Sequence, residues 1–142
     1  MSMKFIIVDD SDIFRENMKD YLEKTLNHEV IASVPGGEEF LELNNIHSAD
    51  IILMDVEMKG ISGIDTAQQI LETMPYLKII AVTMYYDSVF LLQLIETGFK
   101  GCIFKDDIFE TSKQAFIDVA LGKTYFNPKI KLKKKGATSL LS

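Results

Sequence analysis

Apolar residues along this chain fall into two patterns that take turns. One is the short unbroken run, as in Lys4-Phe-Ile-Ile-Val-Asp9, with β-branched members. Such a run reads as a strand buried on both faces. The other places apolar residues three or four apart with charges between them. Phe14, Met18, Tyr21, Leu22 and Leu26 recur in this way among Arg15, Glu16, Lys19, Asp20 and Glu23, so a helix is expected there. Ser11 or Asp12 supplies its cap. Residues 30–34 form a second strand, stopped by Pro35-Gly36-Gly37, and a short helix follows around Phe40, Leu41 and Leu43. Residues 50–55 are a third strand. A loop with Gly60 and Gly63 leads, through Ser62 or Gly63, into a helix carrying Ile64, Ala67, Ile70 and Leu71, ended by Pro75. Residues 77–83 are a fourth strand. Asp87 or Ser88 caps a helix through Phe90, Leu91, Leu94 and Ile95, closed by Gly98. Residues 101–104 are a fifth strand, and a last helix spans about 109–121, with Ala115, Phe116, Val119 and Ala120 inward and Gly122 after it.

Strand and helix alternate five times. That order predicts an α/β fold, a (βα)5 doubly wound sheet of five parallel strands. Short right-handed crossovers favour the flavodoxin-like strand order 2-1-3-4-5. At 142 residues the chain can bury a core without disulfides or metals. Its 47% apolar and 25% charged residues exclude wholesale disorder. No apolar run approaches the ~20 residues of a membrane helix, and with no charged-then-apolar start before a cleavage site, export by a signal peptide is not expected. The lone Cys102 fits a reducing compartment, so a cytoplasmic protein with no membrane partner is expected. The net charge of −6 conceals an asymmetry: residues 1–128 carry −11 and residues 129–142, with five Lys and no acid, carry +5. The body is expected to repel nucleic acid, whereas the tail is open to attracting it or an acidic surface, or to being simply a solvated end.

Ligands of such a sheet bind outside the carboxyl ends of its strands. Strand 1 delivers Asp9 and Asp10 there, strand 3 Asp55, strand 4 Thr83 and the end of strand 5 Lys105. Two adjacent acids alone mean little, because Asp is common in turns. A third acid from another central strand means more, since three crowded carboxylates repel one another unless a cation neutralises them. Oxygen ligands suit Mg²⁺, and Ca²⁺ or Mn²⁺ less closely. No His or Cys lies near, which argues against zinc. His28 and His47 fall away from the strand ends and read as surface or packing residues. A metal-bound acid pocket flanked by the Thr83 hydroxyl and the Lys105 ammonium suits a phosphoryl dianion, with Asp55 as the carboxylate that accepts it.

The segments Ile-Ile-Val-Asp9-Asp10, Ile-Leu-Met-Asp55, Gly60-Ile-Ser-Gly63, Ile-Ala-Val-Thr83 and Gly101-Cys-Ile-Phe-Lys105 resemble the receiver domain of bacterial two-component response regulators. The resemblance covers residues 3 to about 126. It implies that Asp55 is phosphorylated by a sensor histidine kinase and that the domain regulates rather than turns over substrate as an enzyme. It implies Mg²⁺ bound by Asp10, Asp55 and the backbone carbonyl of Glu57, with Asp9 helping through water. It implies Thr83 and Lys105 on the phosphoryl oxygens and a switch carried by helix 4, strand 5 and helix 5. Cys102 departs from the family, which usually has Tyr or Phe there. It reads as a small packed hydrophobe rather than a redox sensor. Lys59 stands where Pro is common, and pairing with nearby acids is one expected consequence. Met84, beside Thr83, is bulky enough to shield a phosphoryl group from water.

Residues 82–87, 98–101 and 120–128 resemble the NarL/FixJ, or LuxR, type, in which a helix-turn-helix output domain binds DNA. The resemblance implies a receiver over 1–126 and a basic linker over 127–142 leading to an output domain absent from this chain, so that DNA is bound only through that half. Apolar residues on the fourth helix are too dense to face one sheet, which leaves one or two for a partner or homodimer surface. Three alternatives stay open: a stand-alone receiver acting by protein contact, a silent binding module of this fold, and a phosphatase. The third rests on Asp10-Ser-Asp12, which resembles the start of haloacid-dehalogenase-type Mg²⁺ phosphatases. Phe14 replaces the threonine expected there, and no cap domain is visible.

Overall fold

The computed structural model describes residues 2–84 and 88–126, the side chains of Ser88 and Val89 excepted. The Tyr85-Tyr86-Asp87 segment, with one candidate cap of the fourth helix, and the basic segment 127–142 lie outside the described residues. In chain order the elements are β1 (Lys4–Val8), α1 (Asp12–Asp20), β2 (Glu29–Val34), α2 (Gly37–Leu41), β3 (Ile51–Asp55), α3 (Gly63–Thr73), β4 (Ile79–Thr83), α4 (Ser88–Thr97), β5 (Gly101–Phe104), α5 (Ile108–Ala120) and β6 (Tyr125–Phe126).

All strands run parallel, in the order β2-β1-β3-β4-β5-β6. The five expected strands hold the expected order. The sixth is a correction to the five-stranded sheet. After α5, Gly122 turns the chain at a φ of 87°, and Tyr125 and Phe126 pair with Gly101 and Cys102 of β5. Gly101 makes this approach possible, because a Cβ there would lie 2.5 Å from the carbonyl oxygen of Tyr125.

Alternation along each strand sorts side chains into two cores. Ile6, Val8, Ile52, Met54, Ile79, Ala81, Cys102 and Phe104 face Phe40, Ile64, Ala67, Ile70, Leu91 and Leu94 from α2, α3 and α4. Phe5, Ile7, Ile51, Leu53, Ile80, Val82 and Ile103 face Met18, Leu22, Ala115, Phe116 and Val119 from the α1 and α5 side. Each large side chain buried this way contributes about 1.5–3 kcal/mol, which is why strands with no polar face persist at the centre. On α4, Leu91 and Leu94 turn inward while Leu92 and Ile95 remain exposed.

Local endings follow ordinary chemistry. Ser11, not Asp12, caps α1 by accepting from the Phe14 N–H, and Ser62 caps α3 by accepting from Asp65. The last turn of the first helical run, Tyr21–Thr25, widens into a π-turn, where Leu26 N–H donates to the Tyr21 carbonyl. His28 packs its ring against Phe5 and accepts the Met3 N–H on Nδ1, a packing role. Burial lowers its pKa.

Candidate functional site

β1, β3 and β5 end on the same sheet edge, and their parity decides what meets there. Asp9, Asp55 and Lys105 continue the alternation of the α1/α5 face, whereas Thr83 continues that of the α4 face. Carboxylate oxygens of Asp9, Asp10 and Asp55 lie within 4.8 Å of one another. Asp9 and Asp55 are buried and Asp10 is exposed. The Lys105 Nζ sits 2.8 Å from Asp9 Oδ2 and 3.5 Å from Asp55 Oδ2, and 4.7 Å above the Phe14 ring. Thr83 is buried at the end of β4, in register with Phe104 of β5.

Backbone groups hold the acids in place. Asp9 Oδ1 accepts from Ser11 N–H at 2.8 Å, Asp55 Oδ1 from Glu57 N–H at 3.3 Å, and Asp10 Oδ2 from Lys59 N–H at 3.2 Å. Lys59 thus reaches an acid through its main chain. Glu57 itself is exposed. The loop after Asp55 is pinned by Glu38, whose carboxylate accepts from Ile61 N–H at 3.3 Å, and turns at Gly60 with φ 79°. Gly63 then brings α3 against the end of β3, where a Cβ would lie 2.1 Å from the Asp55 carbonyl oxygen.

The charge balance is unequal: three carboxylates face one ammonium. Burial first, and then the neighbouring Asp9 charge, push the Asp55 pKa up to about 7, against the pull of Lys105 and the Glu57 N–H. Burial pulls Lys105 down, but its contacts with Asp9 and Asp55 outweigh that and leave its pKa raised. Asp9 Oδ2 is buried and receives no well-angled hydrogen bond, although the ammonium is near. An under-satisfied buried carboxylate oxygen, two further carboxylates within reach and an open side at Asp10 fit a hard divalent cation that keeps part of its water shell.

Met84 is exposed directly after Thr83. Cys102 is fully buried, and burial pushes its thiol up to about 12. Three neighbours of the site were not singled out for it by sequence: Phe14 beneath Lys105, Arg15 donating to the Asp9 carbonyl, and Glu38 on the following loop. The strand-end rule does not find them, because they come from helices.

Fold and site together define a class: a doubly wound α/β domain whose sheet edge gathers an acidic cluster around one lysine. The family model for the response regulator receiver domain matches residues 5–115, and the chain belongs to that family. Its likeness is to the NarL/FixJ, or LuxR, kind. Transcriptional regulatory protein DegU of Brevibacillus brevis is 28% identical over 128 residues, which cover 90% of this chain and 54% of DegU. Oxygen regulatory protein NreC of Staphylococcus carnosus is 33% identical over 129 residues, covering 90% and 59%. The chain therefore spans between half and two-thirds of the length of these curated relatives. A LuxR-family two-component response regulator from an Aurantimonas species superimposes with TM-score 0.90 at 24% identity, covering 98% of this chain and 99% of that one. The isolated REC domain of RcsB from Salmonella enterica, solved with the phosphomimetic BeF3−, gives 0.81 at 22%, covering 92% and 97%. Among the described residues no helix is long and apolar enough to cross a membrane.

Proposed function

We propose that Asp55 is the phosphoacceptor of a two-component system and receives its phosphoryl group from the phosphohistidine of a sensor kinase. The observation that carries this reading is the buried Asp55 carboxylate set among two acids and one ammonium. In the transfer, an Asp55 oxygen bonds to phosphorus, the phosphorus–nitrogen bond breaks, and the imidazole nitrogen leaves with the electron pair. Lys105 already stands 3.5 Å from Asp55 Oδ2, and it would hold a phosphoryl oxygen. Thr83 supplies a hydroxyl at the neighbouring strand end. Asp9, Asp10, Asp55 and the Glu57 carbonyl would hold Mg²⁺, which supplies positive charge against the carboxylates and the phosphoryl oxygens when bound. The chain's own work is positioning: backbone N–H groups fix Asp9 and Asp55, and Phe14 supports the lysine.

The phosphoryl group biases the domain between two states, a population shift. The receiver unit covers 1–126 in this reading. The basic segment 127–142 joins it to a helix-turn-helix unit that binds DNA, a reading in keeping with DegU being named a transcriptional regulatory protein and with this chain covering 54% of it. The domain acts in the cytoplasm, and Leu92 and Ile95 offer apolar surface to a homodimer. The test is incubation with acetyl phosphate and Mg²⁺, followed by intact-mass measurement. Wild type should gain one phosphoryl group and Asp55→Asn none. No adduct on wild type, or an adduct that survives the substitution, refutes the assignment.

A further inference from the structure

β6 is a strand of two residues at the edge of the sheet, too short to persist without its neighbour. Tyr125 N–H donates to the Lys100 carbonyl at 2.9 Å, and Phe126 lies in register with Cys102. Register neighbours share a face, and Phe126 accordingly packs on the α4-side core that contains Cys102, Phe104 and Ala81. Cys102 is small, and Phe126 is the aromatic ring brought alongside it. The other end of the same strand leads to the site: Lys105, directly after β5, pairs with Asp9 and Asp55, and Phe104 is in register with Thr83. β5 therefore touches the acidic cluster at one end and carries β6 at the other. β6 runs parallel to β5, so its own direction is toward the sheet end that bears Asp55; in sequence it is followed by sixteen residues with five lysines.

We propose that β6 couples the phosphoryl state of Asp55 to the chain beyond it, by docking on β5 through Phe126. The inference rests on Asp55 being the phosphoacceptor. When Lys105 exchanges carboxylate partners for phosphoryl oxygens, the end of β5 adjusts, and the two-residue strand registers the adjustment because it is paired to β5 over only two positions. Phe126 is a positioning residue here, and Gly101 is the gap that admits the Tyr125 backbone just before it. Coupling of this kind is reciprocal: if the phosphoryl state changes the docking of β6, docking changes the affinity for a phosphoryl mimic by the same factor.

The test uses the whole 142-residue chain. Exchange of the Tyr125 amide hydrogen is followed by NMR with and without BeF3− and Mg²⁺, and the affinity for BeF3− is measured by titration. Binding should change Tyr125 exchange by about fivefold or more, the lower range of ordinary coupling. Phe126→Ala and Gly101→Ala, which break the pair from opposite strands, should each abolish that change and shift BeF3− affinity by a matching factor. Phe126→Leu should restore most of it. Acetyl phosphate labelling of the same variants is read in parallel by intact mass. Asp55 that is labelled while Tyr125 exchange stays constant overturns the coupling and leaves the phosphoacceptor reading standing. Unchanged BeF3− affinity in both strand-breaking variants also overturns it. Wild type that neither labels nor binds BeF3− refutes the phosphoacceptor reading and this inference with it.

Discussion

Replacing Asp55 by Asn should stabilise the metal-free domain at alkaline pH and leave it nearly unchanged in acid. The unfolded chain ionises this carboxyl near 3.8, whereas the folded chain holds its proton to about 7. Between those values the folded state binds more protons than the unfolded one, so stability falls as pH rises and levels off above about 7. Three pKa units correspond to about 4 kcal/mol at 1.36 kcal/mol each. Solvent at the exposed Asp10 side screens part of that, so the expected gain for Asp55→Asn at pH 8 is about 2–4 kcal/mol, on the order of 10 °C in midpoint. Asn keeps an oxygen for the Glu57 N–H, which preserves the loop contact. The assay is urea unfolding followed by circular dichroism in EDTA, across a pH series from acid to pH 8. A variant no more stable than wild type at pH 8, or a stability difference that does not grow with pH, would refute burial and repulsion as the origin of the raised pKa.

Further outcomes are expected. Mg²⁺ added at pH 8 should raise the wild-type unfolding midpoint and have much less effect on Asp55→Asn, read in the same titration. Lys105→Met removes the ammonium facing Asp9 and Asp55; it should cost about 1–3 kcal/mol in EDTA and slow labelling by acetyl phosphate at least tenfold. Gly63→Ala drives a methyl into the Asp55 carbonyl, so a loss of about 2 kcal/mol or more in thermal melts is expected, with reduced labelling. The Cys102 thiol should resist a thiol reagent in the native chain and react at once in urea; fast native reaction would contradict its burial. Met84→Ala should shorten the phosphoryl half-life if that side chain shields the bond, as measured by decay of labelled protein.

β1, β3, β4 and β5 were legible because they are buried on both faces and so read as apolar runs; β2, half-exposed along its length, was legible from Val30-Ile31-Ala32 and the Pro35-Gly36-Gly37 stop. β6 was not: a Tyr-Phe pair has no periodicity, and its pairing depends on a glycine more than twenty positions earlier. Asp9, Asp55 and Lys105 converge as the strand-end rule requires, because topology alone brings those ends together. Phe14, Arg15 and Glu38 were hidden for the opposite reason. Each reaches the site from a helix, by a rotation about the helix axis that sequence spacing leaves open. The density of apolar residues on α4 was visible, but only packing decides that, among the described residues, Leu92 and Ile95 are left outside.

The sheet's alternation also divides labour. The charged groups of the site lean toward the layer of α1 and α5, while the hydroxyl of Thr83 belongs to the layer of α4. These two layers are separated by the backbone plane itself, and their buried side chains form distinct clusters. In the proposed phosphorylation, one covalent event at the edge would therefore be read by both of these layers. Substitutions in the α1 and α5 layer would then tune acceptance by Asp55 separately from the response of Thr83, which substitutions in the α4 layer would tune.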